Sequence, residues 1–351
     1  MTADAGTKIV VPPSKGSQKQ SLLFWVEAAR KVALGQSLVP FIAGVLLAIK
    51  HPVAGEWWTW PLVILTLIGV ACAHLGINLF DDYFDYKKGD VERRQNLIEG
   101  GMRARSKKCW YIDGGQATLA QTRRVALTFL VVASVIGIVA TLLRGPMIPV
   151  IVAIALILGL EYSGPPFRFS YHGLGELVVG IMFGPLVLIG AYVVTAGSYA
   201  PVALWAAVPT GLLVVNIVYA HAIMDFESDS DASRITLAVL FKSKKLALVF
   251  LIVITALAYL CLVAALIVGA LPLGTLATFI TLPVAIVFCR NMWLYVYKPE
   301  VAVTPRWWMG PFENWDRYVA AGMDWFMIRW LSARNLLLFF LVALAVSYLL
   351  G

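Results

Sequence analysis

Along this chain, long apolar runs alternate with short polar segments, and each run has roughly the length that crosses a bilayer. A membrane-spanning helix needs ~20 mostly apolar residues. Runs of that kind fall near 32–49, 60–80, 124–143, 147–161, 174–196, 201–224, 246–269, 272–294 and 335–350. They predict nine helices, of which the fourth is short and the first has an amphipathic lead-in from Leu22. Residues 1–21 read as a polar cytosolic tail, with Lys8, Lys15 and Lys19 and no signal-peptide core. Between the last two runs, residues 295–333 are Trp-rich and suit an interfacial belt, an amphipathic helix on the membrane surface, or a lid. The expected organisation is one transmembrane domain over residues 22–351.

Composition supports the pattern. The 351 residues are 60% hydrophobic and 14% charged, against about 25% charged in soluble domains. Water-soluble folds are therefore excluded. Lys and Arg mark cytoplasmic loops, and here they gather after the second, sixth and eighth runs, leaving Lys50 and Arg144 for the other side. That alternation predicts a multi-pass protein with its amino terminus cytoplasmic and its carboxyl terminus outside, as in a bacterial inner membrane. The net charge of +8 is then mostly a topology signal, and no nucleic-acid partner is expected. Cys72, Cys109, Cys261 and Cys289 form neither a CxxC pair nor a His-paired metal spacing, and read as apolar filler.

Two of the apolar runs end in acid. In "GINLFDDYFDYKKGD", residues 76–90, the helical pitch puts Asp82 at about +40° and Asp85 at about −20° from Asn78, with Asp81 about 60° off. In "YAHAIMDFESDSD", Asp225 and Asp229 share a face, His221 stands one turn earlier, Glu227 points nearly opposite, and Asp231 leaves the stripe. Carboxylates at helix C-termini face both one another and the negative pole of the helix. A cation is needed, and Mg²⁺, which takes one or two carboxylates plus substrate phosphates, suits the donors. Asn78, Asp82, Asp85, Asp225 and Asp229 are the candidate metal ligands. Lys88, Arg94, Arg103 and Arg168 are candidates for binding a pyrophosphate. His74 lies one turn before Asn78, and reads either as a packed helix histidine or as a group facing the site.

The pattern "NLFDDYFDYKKGD" resembles the first aspartate motif of the UbiA superfamily of intramembrane aromatic prenyltransferases, most closely its menaquinone-pathway type. "DFESD" followed by "RITLAVL" resembles the second motif, and "YSGPPFRFSYHGLGEL" the region between the fourth and fifth helices. His221 and Met224 stand where the family commonly has Asn and Arg. The resemblance implies an all-α membrane fold with nine helices around a central cavity. It also implies Mg²⁺-dependent transfer of an isoprenyl chain from a polyprenyl pyrophosphate to an aromatic acceptor, 1,4-dihydroxy-2-naphthoate being the first expectation.

In that scheme Asp82, Asp85, Asp225 and Asp229 are the catalytic carboxylates. Asn78, Tyr162 and His221 join the basic residues in binding substrate, and Tyr83, Tyr162, Phe167 and Tyr171 are candidates to stabilise an allylic cation. "DDYFD" also satisfies the signature of soluble prenyl-pyrophosphate synthases, which the hydropathy rules out. Alternatives at this stage are other acceptors (4-hydroxybenzoate, homogentisate, a tetrapyrrole), a secondary transporter, and a non-catalytic scaffold. A transporter favours ionisable groups near the bilayer midplane, whereas these acids lie at helix ends.

Overall fold

The computed structural model describes residues 20–88, 109–231 and 235–351. Among the described residues there are nine apolar helices: α1 (Lys31–Ala48), α2 (Thr59–Lys88), α3 (Leu119–Arg144), α4 (Met147–Leu160), α5 (Gly175–Ala196), α6 (Pro201–Met224), α7 (Lys244–Ile267), α8 (Leu273–Tyr297) and α9 (Asp324–Leu350). Eight are long and apolar enough to cross a membrane. The exception is α4, whose 14 residues span about 21 Å at 1.5 Å per residue, short of the ~30 Å hydrocarbon layer. Among the described residues there is no strand, only an isolated bridge between His172 and Ile235.

Local sequence explains the boundaries. A capping box starts α3: the Gln121 N–H donates to Thr118 Oγ1 (3.1 Å), and the Thr118 N–H to Gln121 Oε1 (2.8 Å). Pro185 has no N–H to give the preceding turn, and α5 widens there into a π-helical segment, Met182–Leu186. The lead-in from Leu22 is a separate helix, Leu22–Ala28, capped by Ser21.

Two boundaries differ from the hydropathy reading. α2 runs unbroken through its acidic end to Lys88, and α9 starts at Asp324, well before residue 335. Asp324, Arg329 and Arg334 depress hydropathy over that first part of α9. Even so, Phe326, Met327, Ile328 and Leu331 are buried, and Arg329 is satisfied by a carbonyl, its Nε donating to Asn291 O (3.0 Å). The interfacial stretch is shortened accordingly, and carries a helix at Trp315–Ala320.

α6 is the central helix, with 72% of its apolar window buried, whereas α3, with 28%, leaves most of its apolar surface uncovered by the rest of the protein. α5 and α6 meet backbone to backbone. A Cβ on Gly184 would lie 2.6 Å from the Gly211 nitrogen, the small-residue approach typical of helices packed in membranes. One end of the bundle is fastened by Arg144, which donates to Val194 O (2.6 Å) and Thr59 Oγ1 (2.5 Å) and lies over the Trp58 ring.

Candidate active site

Because α2 stays helical to Lys88, the predicted stripe forms. Asp82 and Asp85 are buried at 1% and 0% exposure, and Asp81 lies at the margin of the stripe with its side chain 11% exposed. Two carboxylates held out of water require compensation, and three distant segments supply it. Arg30, just past the Leu22–Ala28 helix, adopts a left-handed backbone (φ 63°). Its guanidinium donates to Asp82 Oδ1 (2.9 Å), Asp81 Oδ2 (3.0 Å) and Asn78 O (3.1 Å). The Asn78 amide donates in return to Ala29 O (2.9 Å). Tyr111 donates its hydroxyl to Asp82 Oδ2 (3.1 Å). Ser163 donates to Asp81 Oδ1 (2.5 Å), and Tyr171 makes a short hydrogen bond to Asp85 Oδ1. Lys88 Nζ lies 3.7 Å from the Tyr171 ring centroid.

The electrostatics follow from this geometry. Burial opposes the charge on Arg30, but Asp82 and then Asp81 outweigh it and hold its pKa above the ordinary arginine range. Burial, reinforced by Asp82, raises the Tyr111 pKa, so its hydroxyl stays a donor.

At the second cluster the helix breaks: α6 ends at Met224, Asp225 caps it, and a short helix, Phe226–Asp231, follows. The Asp225 N–H donates to His221 O (2.9 Å) and the Asp229 N–H to Asp225 O (2.8 Å), so the helical register survives the break. Asp225 and Asp229 are 1% and 3% exposed, and His221 Nε2 lies 3.1 Å from Asp225 Oδ2. Glu227 does point away, to Lys244 (2.5 Å), and Asp231 is exposed.

The loop between α4 and α5, with the first turn of α5, touches the first cluster and the segment that follows the second. Ser163 and Tyr171 bind the first, while His172 bridges to Ile235 and Glu176 accepts the Leu237 N–H (3.3 Å) just beyond the second. Both pairs of buried acids therefore stand at one end of the bundle. Tyr162 is half-buried in this loop, with its carbonyl accepting from the Ser170 N–H (2.8 Å). Arg168 is exposed, and Phe167, 59% exposed, stacks on Phe169, so neither is enclosed with the acids. Tyr83 packs against Phe80 and Phe84. Arg94 and Arg103 lie outside the described residues.

Directly below Asn78 opens an apolar cavity of about 150 Å³ among α1 to α5. Its α2 wall runs from Thr66 through His74 to Ile77, and Ser134, Val152 and Phe183 face in from α3, α4 and α5.

Arg30, Tyr111 and Ser163 are the residues that sequence reasoning missed. The basic pair Arg30–Lys31 at the end of the lead-in is the one signal that pointed to Arg30. Among the described residues no three His, Cys, Asp or Glu side chains converge to hold a metal by themselves. Yet every carboxylate donor is a hard oxygen, and Mg²⁺ ordinarily completes its shell with water and substrate phosphate. The donor chemistry fits that ion.

Known proteins resemble this chain in sequence and in fold. Relatives include 1,4-dihydroxy-2-naphthoate octaprenyltransferase of Mycobacterium tuberculosis, 29% identical over 61% of this chain and 68% of the relative. Another is 2-carboxy-1,4-naphthoquinone phytyltransferase of Synechocystis, 27% identical over 79% and 84%. In fold, the chain matches a UbiA homolog from Archaeoglobus fulgidus bound to GPP and Mg²⁺, with a TM-score of 0.51 and 14% identity over 91% of this chain and 99% of that one. A structure of digeranylgeranylglyceryl phosphate synthase matches with a TM-score of 0.56 and 16% identity over 92% and 98%. The profile of the UbiA prenyltransferase family spans residues 37–310, most of the bundle and both acid clusters, and the chain belongs to that family of membrane prenyltransferases.

Proposed function

We propose that this enzyme transfers an isoprenyl chain from a prenyl diphosphate to an aromatic acceptor of the 1,4-dihydroxy-2-naphthoate type, a step of menaquinone synthesis. The observation that carries the proposal is the pairing of four buried carboxylates, two from each cluster, with an apolar cavity beginning one turn below. An isoprenyl diphosphate has the complementary form, an anionic head on a hydrocarbon tail. The naphthoate acceptors named for the relatives point to the same acceptor class.

Asp82, Asp85, Asp225 and Asp229, with Asn78, would hold Mg²⁺. Bound there, the metal would offset the charge that develops on the departing diphosphate. Arg30 and Lys88 stand beside the first carboxylates as donors for phosphate oxygens. Tyr111 and Tyr171 fix the carboxylate rotamers, and His221 orients Asp225. Below the head, the cavity walls keep water from the allylic carbon. Basic residues beside the acids (Lys87 and Lys88 in the last turn of α2, Lys242 just before α7, and Lys244 and Lys245 in its first turn) support a cytosolic position for this end.

The test is an assay of purified protein in lipid nanodiscs with Mg²⁺, donors from geranyl to octaprenyl diphosphate, and a panel of aromatic acceptors, with products identified by mass spectrometry. A prenylated naphthalene product that disappears on chelation is expected. Diphosphate release from no donor under any condition would overturn the reading.

A further inference from the structure

His74 is the only titratable side chain among the described residues lining the apolar cavity, and is itself 5% exposed. It stands on α2 four residues before Asn78, about 6 Å along the helix axis, so it marks the end of the cavity nearest the acids. One ring face stacks on Phe183, with centroids 4.7 Å apart and planes at 23°. Its Nδ1 is 2.8 Å from Ser37 Oγ, and Ser37 is fully buried.

The serine fixes the tautomer. Ser37 Oγ also lies 3.0 Å from Leu34 O, which can only accept. A hydroxyl has one proton to give. Both contacts are satisfied only if Ser37 donates to Leu34 O and accepts from a protonated Nδ1. Nε2 then carries the lone pair, on the ring that lines the cavity, with no hydrogen-bond partner among the described residues.

We propose that His74 is the general base of the reaction, its Nε2 taking the hydroxyl proton of a flat phenolic acceptor seated at this end of the cavity. The proposal rests on the prenyl-transfer reading above. Loss of that proton leaves an oxyanion whose electron pair raises the density on the ring. A ring carbon forms its bond to the allylic carbon as the allylic C–O bond breaks, and the diphosphate leaves with that bonding pair. The attacked carbon then sheds its substituent, either a proton passed to the diphosphate or carbon dioxide. The ring electrons return, and Nε2–H gives its proton back to the oxygen, restoring the histidine.

The test compares wild type with His74→Gln, whose amide can still donate to Ser37, and His74→Phe, which keeps the stack on Phe183. Both variants are expected to lose about 10²- to 10⁴-fold in kcat while the KM for the donor stays within about twofold, as removal of a general base requires. The loss should shrink for acceptors whose hydroxyl is made more acidic by a neighbouring fluorine. If neither His74 variant folds, Ser37→Ala decides: about tenfold lower kcat with the same acceptor dependence is expected for a disturbed tautomer. Turnover near wild type, or a loss equal for every acceptor, overturns the assignment while leaving prenyl transfer intact. A wild-type protein that prenylates nothing overturns both.

Discussion

Two arginines show how the ends of this bundle differ. Arg144 is nearly enclosed, its side chain 4% exposed, and meets mostly neutral partners: the Val194 carbonyl, the Thr59 hydroxyl and the Trp58 ring, with Glu56 at 3.6 Å. Arg30 is 34% exposed and lies between two carboxylates whose own side chains are 11% and 2% exposed. Arg144 is enclosed by groups that need no further partner, as a structural fastening is. Arg30 sits at the edge of solvent over acids that are buried and already oriented, where an incoming anion and its counter-ions would meet them. Enclosure suits a fastening, and a charged opening suits the proposed site.

The sharpest way to break that contrast is to neutralise the acids. Asp82→Asn and Asp225→Asn keep the shape of each side chain, so the purified variants should elute and melt close to wild type. Their prenyl-transfer rates should fall by about 10³-fold or more, because several kcal/mol of charge stabilisation is at stake and each 1.36 kcal/mol is tenfold. Either variant retaining a tenth of the wild-type rate would remove its cluster from the chemistry.

Arg30→Ala comes next. It removes the counter-charge from Asp81 and Asp82, leaving them more negative. Catalytic efficiency should fall about 10- to 100-fold, within the 1.5–3 kcal/mol range of single hydrogen bonds to charged groups. The Mg²⁺ concentration giving half-maximal rate should fall as well, since the metal no longer competes with a guanidinium. An unchanged Mg²⁺ requirement would show that Arg30 and the metal do not share those carboxylates. Arg144→Met should do the opposite: about 3 kcal/mol of stability lost from two charged hydrogen bonds, seen as a lower melting temperature in nanodiscs, with the turnover of the folded fraction unchanged.

Much of this was legible in the sequence, and the part that was not has a physical reason. Hydropathy located the spans because lipid leaves the chain few options, and the 100° step found Asn78, Asp82 and Asp85 because α2 is unbroken. The same step carries across Asp225, where α6 ends, because two backbone hydrogen bonds, Asp225 N–H to His221 O and Asp229 N–H to Asp225 O, preserve the register. Arg30, Tyr111 and Ser163 reach the first cluster from 52, 29 and 82 residues away, and no periodicity encodes such contacts. The start of α9 was obscured because Arg329 and Arg334 read as interfacial, although Arg329 is buried against a carbonyl.

The smallest effect expected is that of Tyr111→Phe, which sharpens the comparison by removing one neutral donor while leaving every charge in place. Tyr111 is fully buried in an aromatic cluster with Phe24 and Trp25, so phenylalanine preserves the packing. The loss should be about 1 kcal/mol, that of a single hydrogen bond, with a several-fold drop in rate as Asp82 gains rotational freedom. Its pH dependence is fixed in sign. Burial and Asp82 raise the tyrosine pKa in the folded protein above its ordinary value. The contribution is therefore fully present below the unfolded pKa of about 10, and fades only as pH climbs from there through the higher folded value. Melting curves of wild type and variant should accordingly run parallel from pH 6 to 9. Curves that converge within that range would mean that Tyr111 ionises there, and that something other than its proton holds Asp82 in place.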